Sequence, residues 1–343
     1  MASRKKNIMN ILFMIICFAL TMYYVFHDQD LEKTLHYMKR ANSLYWLLGI
    51  ACVICFILSE SAIIYYILNT LKHKVKFSHC CLYSFVGFFF SCITPSASGG
   101  QPVQAVFMKK DGIPYHVSTI VLLMVTIAYK MVLLLYGVIV LLFQPDSVLG
   151  YIGSAMAWVY LGIFLNLIVV GFMILLSVKP TIMKILVMGI FNFLSRIIKS
   201  RRLLRMKAKA ENAMEAYGVK SEFLLTHKKT MMKILAITFV QRTILFFITY
   251  LVFVSFGYRG LGPADVTVLQ GLISVAVDML PLPGGMGISE HLFMVIFKPL
   301  LGADFTVPAM IVSRGISYYT QLIISAILTG IAYVRFFGRK EKE

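Results

Sequence analysis

Seven ionisable side chains lie inside long apolar stretches of this chain: Glu60, Lys130, Arg242, Asp278, Glu290, His291 and Arg314. Each costs several kcal/mol in hydrocarbon unless it is paired or wet, so a membrane chain that keeps them is expected to enclose a polar site. Lys130 and Arg242 stand near the middle of their runs, where a long side chain cannot easily reach either surface. Arg314 stands nearer one end. Cations beside the backbone N–H groups of helix N-termini suit a phosphate. Glu60, Asp278 and Glu290 can pair with those cations, or hold an amine or a sugar hydroxyl. The plainer alternative is a set of ion pairs that only fixes helix packing. His291 reads as a satisfied polar neighbour.

Other chemistry is absent from the pattern. Ser96 and Ser98 lie in SASGG, which is not the GxSxG elbow. There is no HExxH, P-loop or GxGxxG. Cys52 and Cys55 have CxxC spacing but sit in an apolar run without a second ligand pair, which points to small buried side chains. No catalytic residue, metal ligand or cofactor is expected.

Two glycine-rich breaks must position the charges. Leu280–Glu290 reads LPLPGGMGISE, between the short apolar runs Val266–Leu280 and Met286–Leu301. Thr94–Pro102 reads TPSASGGQP and follows Cys80–Ile93. These runs fall short of the ~20 residues of a full helical span. Pro281, Pro283, Gly284, Gly285 and Gly287 in one break cannot continue a regular helix, nor can Pro95, Gly99 and Gly100 in the other. Lipid cannot satisfy the freed backbone groups, so both breaks are expected in protein or against a wet cavity. Paired interruptions in the two halves of a chain are the pointer to a transporter's binding site.

The 343 residues are 59% hydrophobic and only 14% charged, against ~25% charged in a soluble domain. This excludes a soluble fold. The net charge of +18 lies mostly in loops beside apolar runs, where it sets topology and meets anionic headgroups; it does not indicate nucleic acid. Full spans are expected at about Asn7–Phe26, Leu44–Leu68, His116–Phe143, Tyr151–Val178, Met231–Phe256 and Thr306–Val334. Arg4, Lys5 and Lys6 precede a first run that reads as a retained anchor, not a cleaved leader. His27–Asn42 is expected as a neutral loop. Lys179–Lys233 carries thirteen Lys and Arg against Glu211, Glu215 and Glu222. It reads equally as an amphipathic helix on an anionic lipid surface or as a solvated cytoplasmic loop.

Parity then gives the architecture. If each broken pair enters and leaves on one side, every basic loop is cytoplasmic, and both termini are too. The expected fold is all-α: six transmembrane helices plus two oppositely oriented re-entrant hairpins, in an inverted repeat. It is one membrane domain with halves at about 7–178 and 231–334, joined by the basic segment 179–230.

TPSASGGQP with Val103, Ala105 and Lys109, together with PLPGGMGISE, resembles the lysylphosphatidylglycerol synthase transmembrane family. That family includes the flippase half of the bacterial multiple peptide resistance factor, which contributes to cationic peptide resistance. The resemblance covers about Asn7 to Val334. Thr94, Pro95, Gly99, Gly100 and Pro102 match its first motif. Pro281, Pro283, Gly284, Gly285, Gly287 and Glu290 match the second, and Arg314 a basic residue in the following span. Gln101 stands where members often have Glu, which bears on the headgroup recognised. The resemblance implies translocation of an anionic, aminoacylated or glycosylated lipid across the bacterial plasma membrane. The alternative is a lysyltransferase acting from lysyl-tRNA on phosphatidylglycerol, or its membrane subunit, although the soluble transferring domain is expected to be missing. The candidate binding residues, from the charges in the apolar runs together with this resemblance, are Lys130, Arg242, Arg314, Glu290, Asp278, Glu60 and Gln101. Expected partners are a lipid headgroup, a second copy of the chain and a separate lipid synthase.

Overall fold

The computed structural model describes residues 31–143, 146–178 and 228–337, with scattered residues between 181 and 193. The first expected span and most of the basic segment lie outside the described residues. What is described is helical, apart from turns and one isolated antiparallel bridge.

Helix α1 (Leu31–Arg40) occupies what the sequence suggested was loop. Glu32 in its first turn and Lys39 and Arg40 in its last match the helix dipole, and Met38 packs on the core. Helix α2 (Ser43–Thr70) starts where the Asn42 side chain accepts from the Leu44 N–H at 3.0 Å. The first broken pair forms α3 (Phe77–Cys92) and α4 (Gly100–Lys110), followed by the long α5 (Tyr115–Phe143). The fourth expected span is divided. Helix α6 (Asp146–Ile152) ends at a 3-10 turn, Gly153–Ala155, before α7 (Met156–Val178). Gly153 has φ +43°, and Val148 and Ile152 before it are buried, which pulls the start of the helix inward.

The second half runs through α8 (Lys228–Ser255), α9 (Pro263–Val277) and α10 (Ile288–Arg314). A π-helical turn, Gly315–Thr320, leads into α11 (Gln321–Phe337). Gly302, at φ +73°, kinks α10 where the sequence placed the junction between a short run and the last span. Among the described residues five helical segments are long and apolar enough to cross a membrane: α2, α5, α7, α8 and Asp304–Phe337. Helices α3 and α9 are apolar but shorter. The molecule is a multi-pass integral membrane protein.

Between apolar helices in lipid, association rests on close packing and interhelical hydrogen bonds, each worth ~0.6 kcal/mol on average. Helices α2 and α8 show both. Trp46 Nε1 donates to Ser255 Oγ at 3.0 Å, and Gln241 Nε2 donates to the Phe56 carbonyl at 2.9 Å. One buried cluster centres on Phe56, Phe253, Phe293 and Phe297; a second on Tyr83, Met108 and Ile120. At the far end of α11, Arg335 lies 3.0 Å from His79 Nε2, and His79 Nδ1 lies 2.6 Å from Asp111. Arginine only donates, so Nε2 accepts and Nδ1–H faces the carboxylate. This network joins α3, α11 and the α4–α5 turn.

Candidate functional site

The two breaks meet. Pro95 and Pro283 pair in the isolated antiparallel bridge, and Ser96 Oγ donates to the Leu280 carbonyl at 3.1 Å. Freed backbone groups find partners inside the protein, as an apolar surround demands. Thr94 Oγ1 accepts from Gly99 N–H at 2.9 Å. Tyr318, in the π-helical turn, donates to the Cys92 carbonyl at 2.9 Å. Arg314 donates from Nη2 to the Gly284 carbonyl at 2.9 Å.

The glycine pairs serve different ends. Gly284 and Gly285 have φ +57° and +67°, which other residues adopt at a cost. In the first break the left-handed residues are Ser96 and Ala97, not glycines. Gly100 is needed for room: a Cβ there would stand 2.6 Å from the Gly87 carbonyl oxygen.

Around the joined breaks lies a cavity of about 280 Å³. Of the seven residues expected to bind, Glu60, Gln101, Arg242, Asp278 and Arg314 line it. Lys130 and Glu290 stand behind as ion-pair partners. Lys130 pairs with Asp278, which also accepts from Tyr129 Oη. Arg314 Nε meets Glu290 at 2.7 Å, and the other Glu290 oxygen accepts from the Gly287 N–H at 2.7 Å. Glu60 is buried and accepts from Gln104 Nε2 at 3.0 Å. His291 is exposed and does not line the cavity.

Arg242 differs from the other two cations. It makes no ion pair with a carboxylate among the described residues. Its guanidinium lies 3.5 Å from the centre of the Tyr129 ring and 4.9 Å from that of Phe56. Its Nε is buried without a hydrogen-bond partner. A guanidinium with one buried N–H left over, held against aromatic faces beside a cavity, has the chemistry to take up an anion.

A family model described as "Lysylphosphatidylglycerol synthase TM region" matches residues 8–325. The chain belongs to this family. A relative from Archaeoglobus fulgidus, described as "UPF0104 membrane protein", is 24% identical over 334 residues, covering 91% of this chain and 93% of that protein. Membership of the lysylphosphatidylglycerol synthase transmembrane family agrees with a membrane protein whose role concerns lipid.

Within this family member, sequence reasoning found the charges but missed their neutral partners. Tyr129 supports both Arg242 and Asp278, Gln104 holds Glu60, and Tyr318 holds the first break. A signal was available for the amides. Gln241, Gln270 and Gln321 lie in apolar runs, where an uncharged polar side chain also needs a partner.

Proposed function

We propose that this protein is a lipid flippase, carrying a phosphate-bearing headgroup between leaflets of the bacterial plasma membrane. The observation that carries the reading is Arg242, whose buried Nε has no hydrogen-bond partner and which makes no ion pair among the described residues, in a cavity that both breaks line. A lipid phosphate would supply the missing acceptor. The candidate substrates are anionic, aminoacylated or glycosylated lipids, held by Arg242 with Glu60, Gln101, Asp278 and Arg314, while Lys130 and Glu290 set the charge state of the wall.

In this reading α3–α4 enters from the cytoplasm and α9–α10 from outside, as oppositely oriented re-entrant hairpins of an inverted repeat. Both termini are cytoplasmic. The contact between Pro95 and Pro283 is what two hairpins entering from opposite faces would make. The basic segment 179–233 rests on anionic lipid, and a second copy and a separate synthase are the proposed protein partners.

The test is purified protein in liposomes with labelled lipid of each class. Movement faster than in empty vesicles is expected for at least one, and no acceleration for any class would remove the proposal. The family's description favours a second reading, a lysyltransferase-type enzyme or its membrane subunit. Lysylated phosphatidylglycerol formed from lysyl-tRNA by this chain alone would establish it instead.

A further inference from the structure

We infer that the cavity selects an anionic headgroup carrying hydroxyls, a polyol or sugar phosphodiester, and disfavours one carrying an ammonium. This rests on the flippase reading above and chooses among its substrate classes. The argument is the charge state of the wall, acid by acid.

A phosphate has a receptor in Arg242, which makes no ion pair with a carboxylate among the described residues. An ammonium needs a carboxylate, and two of the three near the cavity already hold a cation while the third holds an amide. Asp278 already holds Lys130 and Tyr129. Glu290 lies outside the lining and holds Arg314 and the Gly287 N–H. Glu60 is only 9% exposed, takes the Gln104 amide and lies in the field of Arg242. An ammonium arriving beside Arg242 meets like charge in a poorly screened site.

What remains free on the wall is neutral. Gln270 accepts from Thr249 Oγ1 through its Oε1, which leaves its NH₂ as a donor toward the cavity. Gln101 uses its NH₂ on Thr126 and leaves its carbonyl oxygen as an acceptor. Those atoms match hydroxyls, which both donate and accept without bringing charge. The amide at position 101 is therefore a specificity-determining group: it accepts from a hydroxyl and offers no charge to an amine.

The experiment compares labelled phosphatidylglycerol, phosphatidylinositol and lysyl-phosphatidylglycerol in liposomes containing the full chain. The two polyol lipids should cross at least about tenfold faster than the lysylated one, the scale of one unfavourable charge contact. Arg242→Gln should remove most of that movement, Arg242→Lys should keep part of it, and Gln101→Glu should raise the lysylated lipid relative to phosphatidylglycerol. Equal or faster passage of lysyl-phosphatidylglycerol in the unaltered protein overturns the inference. If no lipid moves, the flippase reading fails, and native mass spectrometry of lipid retained by the protein decides selectivity separately. Preferential retention of phosphatidylglycerol, weakened by Arg242→Gln, supports it; preferential retention of the lysylated lipid refutes it.

Discussion

Replacing Arg314 with Met removes a half-buried cation that ties two points of the second break together. Its Nε meets Glu290 at 2.7 Å and its Nη2 meets the Gly284 carbonyl at 2.9 Å. The Glu290 side chain is only 4% exposed, so without Arg314 its charge has one backbone N–H, from Gly287, for company. Breaking a buried ion pair from one side costs ~3–5 kcal/mol. At ~2 °C per kcal/mol for a chain of this size, that predicts a fall of about 6–10 °C in Tm in detergent. Glu290→Gln keeps an oxygen that can accept from Gly287, and should cost less. The double variant removes both charges, so its loss should fall short of the sum of the single losses by about 1.5 kcal/mol or more. Thermal unfolding of the four proteins measures this. Additive losses, or a fall of under 2 °C in Arg314→Met, would show that the pair does not stabilise the break and would refute the argument from burial.

Gly284→Ala should destabilise by about 2–4 kcal/mol, because φ is +57° and the added Cβ would stand 2.1 Å from the Tyr318 ring. A Tm within error of the parent would mean that the Tyr318 ring gives way freely. Single cysteines at Lys74 and Lys109, which flank the first broken pair, should be labelled by an impermeant reagent from one side of the membrane, and single cysteines at Arg259 and Asp304, which flank the second, from the other side, in a background without native cysteines. Labelling of either pair from opposite sides would end the inverted arrangement.

Much of the fold was legible because membranes constrain sequence strongly. Long apolar runs gave four of the crossing helices, α2, α5, α8 and the segment ending α11, to within a few residues. The broken pairs were legible because proline and glycine interrupt a helix locally, whatever surrounds them. Helix α1 was missed because its apolar side is short and its charges alternate, so it read as loop. The 3-10 turn before α7 was missed because one glycine carries it.

The sequence by itself determined that this is a multi-pass membrane protein with charges at depth and two breaks, since hydropathy, proline and glycine act through local physics. Tertiary structure alone decided how the charges pair. Lys130 reaches Asp278 across 148 positions, and Tyr318 reaches Cys92 across 226. No local propensity encodes such a meeting; it follows from which helix faces pack together. The same packing gives Lys130 and Arg314 their carboxylates and, among the described residues, gives Arg242 no ion pair, and that difference is what the proposed anion site rests on.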